Sequence, residues 1–234
     1  MEPIFSFGKK SKMNKYEKQN PLLGLIIRNA PFGQVFYDLL SFSLKEGSKI
    51  LDVTCGRKHS WQYYFMRSKN LGFNLSRHKR FDITFADNQN FGDNIICDSR
   101  NLEKIFPKSS FDAIYFDPPY IFDVESHQDS RENDYGGYSN SFLSFQELIK
   151  ESFNSFQKII TNKELIFFKC SDLFLVKENR FISCIIYLKD LLDSYEIINL
   201  SIIQHHHVSG TAWQVKNRSC WIISYSYLYV LRLK

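Results

Sequence analysis

From residue 49 onward the chain alternates short apolar runs with longer stretches in which apolar residues recur every three or four positions. Runs of the first kind, at 49–54, 81–87, 94–99, 111–117 and 164–172, have the length and β-branched or aromatic content of buried strands. Stretches of the second kind, at 61–70, 142–160 and 180–193, predict helices. The clearest is 142–160, where Phe142, Phe145, Leu148, Ile149, Phe153 and Phe156 share one helical face. Two further runs, 195–204 and 224–233, have no helical pattern between them and predict an antiparallel hairpin. Before residue 49, the apolar stretch 22–44 reads as helical in part, with interruptions at Pro31 and Gly33. Strands alternating with helices imply an α/β fold, a mostly parallel sheet covered on both faces. In such a sheet ligands bind beyond the carboxyl ends of the strands, near the point where strand order reverses. The residues that end each strand are therefore the first candidates for chemistry.

Those strand ends are acidic. The first run carries Asp52 and leads into Gly56, a residue that lets a ligand approach the backbone where a helix offers free N–H groups. Arg57 and Lys58 follow with positive charge suited to a carboxylate ligand. The second run ends at Asp87, a position that suits ribose hydroxyls, and the third at Asp98, placed to accept from an amino group. An aspartate at either place is also an ordinary helix N-cap. The fourth run ends in Asp117-Pro118-Pro119-Tyr120. Prolines cannot continue a central strand, so Asp117 marks the strand's end and the prolines stiffen the loop that carries it and Tyr120. That combination holds a planar polar group.

At this point the sequence resembles the amino-methyltransferases of nucleic acids that use S-adenosyl-L-methionine. "DPPY" at 117–120 resembles the catalytic motif, "ILDVTCG" at 50–56 the cofactor motif, and "CDSRNL" and "SSFDAIYFDPPY" the connecting motifs, in the family's order over roughly residues 45–175. The resemblance implies a Rossmann-like class I methyltransferase fold, with a seven-stranded mostly parallel sheet and an antiparallel edge hairpin. It implies catalytic roles for Asp117, Pro118, Pro119 and Tyr120, with Asp117 and a backbone carbonyl of the proline pair accepting the amine hydrogens and Tyr120 stacking on the base. It implies cofactor contacts from Asp52, Thr54, Cys55, Gly56, Lys58, Asp87, Asp98 and Asp117. The family's cofactor loop carries a second glycine two positions after the first, where this chain has Lys58; Lys58 or Arg57 is then expected to pair with the cofactor carboxylate. Trp61 matches a variant of the motif in compact DNA methylases and equally reads as a core residue of the first helix.

Charge and composition refine this picture modestly. A net charge of +5 and a pI near 8.8 are compatible with a polyanionic partner. The high aromatic content, 16% with 22 Phe, reads first as core and second as stacking surface. Five scattered cysteines with no Cys-x-x-Cys pair suggest reduced thiols, and the sequence shows neither a signal peptide nor a membrane-length apolar run, so a cytoplasmic protein with no membrane partner is expected. His205, His206 and His207 alternate in direction along a strand, so no metal site is expected there. Residues 1–20 read as a basic arm, and 21–234 as a single methyltransferase domain. The polar loop 121–140, with Asp123, His127, Tyr135 and Tyr138, reads as a substrate-closing lid. The segment 204–221, with His207, Trp213, Lys216 and Arg218, reads as a nucleic-acid contact. The expected reaction is methylation of adenine N6 in DNA. The alternatives are an amine of an RNA base (adenine N6 or guanine N2), cytosine N4 in DNA, and a catalytically silent methyltransferase-like partner.

Overall fold

The computed structural model describes residues 25–28, 32–69, 79–119, 141–175, 180–189, 191, 193–204 and 225–234. Its main sheet has eight strands: β1 (Leu25–Arg28), β2 (Lys49–Asp52), β3 (Asp82–Asp87), β4 (Ile95–Ile96), β5 (Ala113–Phe116), β6 (Leu165–Cys170), β9 (Tyr195–Gln204) and β10 (Tyr225–Leu233). Their spatial order is β1-β9-β10-β6-β5-β2-β3-β4. β10 runs antiparallel to both its neighbours, and the other pairs are parallel.

The central strands read as unbroken apolar runs because both of their faces are covered. In β5 all four residues are buried. Ala113 and Tyr115 face a cluster built with helix α1 (Phe32–Ser43), through Val35, Phe36, Leu39 and Leu40, and with Trp61 and Tyr64 around helix α2 (Gln62–Lys69). Ile114 and Phe116 face the opposite cluster, built with helix α3 (Phe142–Ile159) through Phe145, Ile149, Phe153 and Phe156. Phe116 stacks on Phe168 at 5.7 Å and meets Phe156 edge-on at 5.2 Å. The residue before Asp117 is thus fixed by packed rings.

α3 begins with a capping box, in which the Ser141 hydroxyl accepts from the Ser144 N–H and the Ser144 hydroxyl accepts from the Ser141 N–H. Its buried serines hold the 3-10 segment Ser99–Lys104: Ser152 bonds Ser99 at 2.7 Å, and Ser155 accepts from the Leu102 N–H at 2.8 Å.

Two stretches differ from the expectation. The stretch 22–44 opens with β1, which pairs parallel to β9, so an eighth strand covers the edge that the β9–β10 hairpin was expected to form. The expected helix 180–193 is a strand, β8 (Arg180–Ile182), followed by the short helix α4 (Cys184–Leu188). β8 pairs antiparallel with β7 (Leu173–Leu175) in a small separate sheet. In both places a short apolar run fits a strand and a helix turn equally, and tertiary pairing decides.

Strand order reverses between β2 and β5. From β2 the chain builds outward through β3 and β4; from β5 it builds the other way through β6. A crevice opens at the carboxyl ends of these strands, as the geometry of open α/β sheets requires.

Candidate active site

The crevice is a cleft with about 490 Å³ of empty space, including part of the solvent at its mouth. Val53, Thr54 and Gly56 line it after β2, Asp87 and Asn88 after β3, Ser99 after β4, and Phe116, Asp117 and Pro119 at the end of β5; Leu148 of α3 closes the side. Of the expected site residues, Thr54, Gly56, Asp87, Asp117 and Pro119 therefore meet in one place.

The loop after β2 is held by its neighbours' strand ends. The Cys55 N–H donates to the Ala86 carbonyl, and the Gly56 N–H donates to Asp87 Oδ2 at 2.9 Å. Gly56 has φ +46°, a conformation that favours glycine, and a Cβ built there meets nothing within 4 Å. The backbone is thus open to a ligand at this point. The Thr54 hydroxyl accepts from the Asp117 N–H at 2.8 Å, which ties the loop after β2 to the start of the proline segment.

The acidic residues have separate surroundings. Asp52 is buried, accepting from the Trp61 indole N–H at 2.6 Å and from the Thr54 N–H at 3.0 Å. Burial pushes its carboxyl up to about 8; the Trp61 and Thr54 hydrogen bonds pull the other way, and repulsion from Asp117 and Asp87 adds to the rise. Trp61 is wholly buried against Phe36 and Tyr64, so it is a core residue whose polar edge anchors Asp52. Asp87 accepts from Gly56 and from the Gln89 N–H at 3.1 Å, and burial raises its carboxyl against these backbone bonds. A carboxylate has about four acceptor positions, so Asp87 has capacity beyond those two bonds.

Asp98 caps the 3-10 segment through the Arg100 N–H, and its carboxylate is gripped by the Arg100 guanidinium at 2.6–3.0 Å. Burial alone would raise that carboxyl, but the Arg100 contacts outweigh it and hold it below its usual value. Its neighbour Ser99, not singled out from the sequence, is the residue that reaches the cleft.

Lys58 has left-handed backbone, φ 60°, and turns its ammonium to Asp93 and over the Phe85 ring, 4.4 Å from the centroid. Cys55 is buried, and burial pushes its thiol well up. Pro118 is buried, and Pro119 lines the cleft. Tyr120, Asp123, His127, Tyr135, Tyr138, His207, Trp213, Lys216 and Arg218 lie outside the described residues, as does the arm 1–20.

Asp117 has a partner that sequence reasoning passed over. Lys169 of β6 donates to its Oδ2 at 2.6 Å, and both side chains are 18% exposed. The Tyr115 hydroxyl donates to the same oxygen at 3.3 Å and also meets the Ser60 hydroxyl at 2.9 Å. The signal for Lys169 was present: it is the one charge between Leu165 and Cys170 in a run that is otherwise apolar.

Six parallel strands, β4, β3, β2, β5, β6 and β9 in spatial order, with the reversed β10 inserted between the last two, set the architecture. The fold is a Rossmann-like α/β sheet, mostly parallel, with one antiparallel strand toward its edge. Among solved structures, the MccD protein superposes with a TM-score of 0.53 at 9% identity, covering 88% of this chain and 100% of that one. TrmN from Thermus thermophilus gives 0.48 at 12% identity, and a SAM-dependent methyltransferase from Leishmania major gives 0.46 at 16%. Each covers 86% of this chain; the chain spans 48% of TrmN, about half its length, and 71% of the Leishmania protein. No family model and no curated protein matches the chain. Among the described residues, no helix is long and apolar enough to cross a membrane.

Proposed function

We propose that the protein is a methyltransferase that uses S-adenosyl-L-methionine and acts on an exocyclic amino group of a nucleic-acid base, with adenine N6 in DNA as the target. The observation that carries this reading is Asp117: a carboxylate at the end of β5, on the wall of the switch-point cleft, followed by two prolines that fix its approach.

The cleft fits the cofactor. Asp87 offers acceptor capacity to ribose hydroxyls, and Gly56 opens the backbone to the methionine end. Ser99 and Leu148 supply a polar and an apolar wall for the adenine end. Asp52 acts from beneath, by fixing the Thr54 backbone. Lys58 reaches the cofactor carboxylate on leaving Asp93, an exposed partner whose pull is weak in water.

When bound, the cofactor supplies an electrophilic methyl group on a sulfonium sulfur. The protein's task is then positional. The lone pair of an aromatic amine is delocalised into its ring. Asp117 and a carbonyl of the Pro118–Pro119 segment accept the two amine hydrogens, which turns the nitrogen toward a tetrahedral geometry with its lone pair aimed at the methyl group. The gain comes from orientation and preset electrostatics. A base in a duplex must first leave the stack, and Tyr120 serves as its stacking surface.

The test is methyl transfer from labelled cofactor to separate pools of duplex DNA, single-stranded DNA and total RNA, followed by digestion to nucleosides. The expected product is N6-methyladenine from DNA, lost in Asp117→Ala. Label confined to RNA nucleosides would replace the DNA reading. Absence of label from every pool, with cofactor still bound, would remove the catalytic one.

A further inference from the structure

Asp117 stands between two environments. On one side is the cleft, with Thr54, Gly56 and Asp87. On the other is the Lys169 ammonium, 2.6 Å from Asp117 Oδ2 and 4.6 Å from the centre of the Phe32 ring at the start of α1. Lys169 follows Phe167 by two residues in β6, and so belongs to the sheet face covered by α1. Placing a lysine here is not a device for stability. A half-buried ion pair returns in Coulomb energy roughly what it costs in desolvation, and an ordered lysine side chain adds an entropic cost. The surroundings of Asp117 explain it better. Burial drives Asp52 toward its neutral form, and it is near enough to Asp117 and Asp87 for both to add to that rise. Beside them, Lys169 gives Asp117 a fixed donor on one carboxylate oxygen. Tyr115 adds a second donor on the same oxygen; burial drives its phenol well above the usual value, so it stays a donor. The Thr54 hydroxyl, in the loop after β2, fixes the other end of the residue by accepting from the Asp117 N–H.

We infer that Lys169 is the positioning residue of the amine site: with Tyr115, it fixes the Asp117 carboxylate through Oδ2 so that it accepts a hydrogen from the substrate amine. The inference rests on the amine-methylation reading for its substrate and goes beyond it in naming the group that prepares the acceptor. A positively charged donor is required at 169, and it acts on the amine through Asp117.

The experiment compares wild type with Lys169→Met, Lys169→Arg, Asp117→Asn and the Lys169→Met/Asp117→Asn double variant. One arm is free of catalysis. Protein loaded with S-adenosylhomocysteine is titrated by fluorescence anisotropy with an oligonucleotide bearing adenine, and with the same oligonucleotide bearing purine, which lacks the amine. Wild type is expected to prefer adenine about tenfold, the size of one charge-assisted hydrogen bond. Lys169→Met and Asp117→Asn both lose the preference, the double variant loses no more, and Lys169→Arg keeps most of it. The second arm reads kcat and KM for methyl transfer. Lys169→Met lowers kcat about 100-fold, leaves the dissociation constant for S-adenosylhomocysteine within about twofold, and has no further effect in the Asp117→Asn background. A retained adenine preference in Lys169→Met overturns the inference, as does a loss that repeats in full when Asp117 is already Asn. The two readings separate cleanly. An amine preference that depends on Lys169, without methyl transfer, supports the role of Lys169 and removes the proposed reaction; methyl transfer without any dependence on Lys169 does the reverse.

Discussion

Asp52 is the most deeply buried carboxyl at the sheet's carboxyl edge, 1% exposed, and its work differs from that of Asp87 and Asp117 above it. It touches Trp61 and the Thr54 backbone, and it does not line the cleft. With its carboxyl pushed up to about 8, mainly by burial, the folded protein keeps a proton there that the unfolded chain releases near the ordinary value of about 4. The folded state binds more protons across that window, so this contribution to stability is present below about pH 4 and is lost as pH rises through about 8. Urea denaturation at pH 5, 6, 7 and 8 should show wild-type stability falling by up to about 1.4 kcal/mol per pH unit from this group. Asp52→Asn keeps an acceptor for Trp61 and cannot ionise. Its stability curve should be flatter over the same range, though lower overall by about 1–3 kcal/mol for the Thr54 N–H left without its acceptor. An identical slope in the variant would show that Asp52 is ionised in the folded protein at neutral pH.

At the scale of elements, α3 does more than cover the sheet. Its Ser155 hydroxyl accepts from the buried Leu102 N–H and donates to Glu103, and Ser152 meets Ser99, so the 3-10 segment hangs from the helix. Ser155→Ala leaves a buried N–H unsatisfied and should cost about 1–3 kcal/mol in denaturant unfolding. It should also weaken cofactor binding, since Ser99 is the cleft residue that segment carries. A stability loss with unchanged cofactor affinity would separate the segment from the site. None of this docking was legible in the chain, because two serines on an apolar helical face look like tolerated polar residues until the partner segment is known. The parallel core was legible: 111–117 and 164–172 are apolar on both faces, and only burial on both faces explains that pattern. β1 and β8 were not, being runs of four and three residues whose pairing partners lie far along the chain. The candidate site shows the same division. Asp87 and Asp117 were visible as strand-end acids, and their convergence followed from strand order. The Asp98–Arg100 grip and the Asp117–Lys169 pair were hidden, the first because a local turn geometry sets it and the second because it joins residues 52 apart.

On the scale of the whole molecule, the cleft is a seam. Thr54, Gly56, Asp87 and Asn88 come from the half of the sheet that runs outward from β2, and Phe116, Asp117 and Pro119 from the half that starts at β5. A ligand seated there touches both halves at once, and it binds the folded chain only. Mass action then turns occupancy into stability: at 100 times its dissociation constant, S-adenosylhomocysteine should add about 2.7 kcal/mol to the unfolding free energy. Asp87→Asn tests which wall bears that load. The amide keeps one oxygen for the Gly56 N–H but loses the one that accepts from the Gln89 N–H, so the ligand-free protein should lose about 1 kcal/mol, while the second carboxylate oxygen that suits paired hydroxyls is gone. If Asp87 holds the ribose, the variant should bind S-adenosylhomocysteine about tenfold more weakly. At the same ligand concentration, now only about 10 times the new dissociation constant, the added stability should fall to about 1.4 kcal/mol. Thermal or urea unfolding with and without ligand reads both numbers on one pair of proteins. Equal stabilisation of the two would leave Asp87 as a brace for the Gly56 loop and move the ribose contact to another part of the seam.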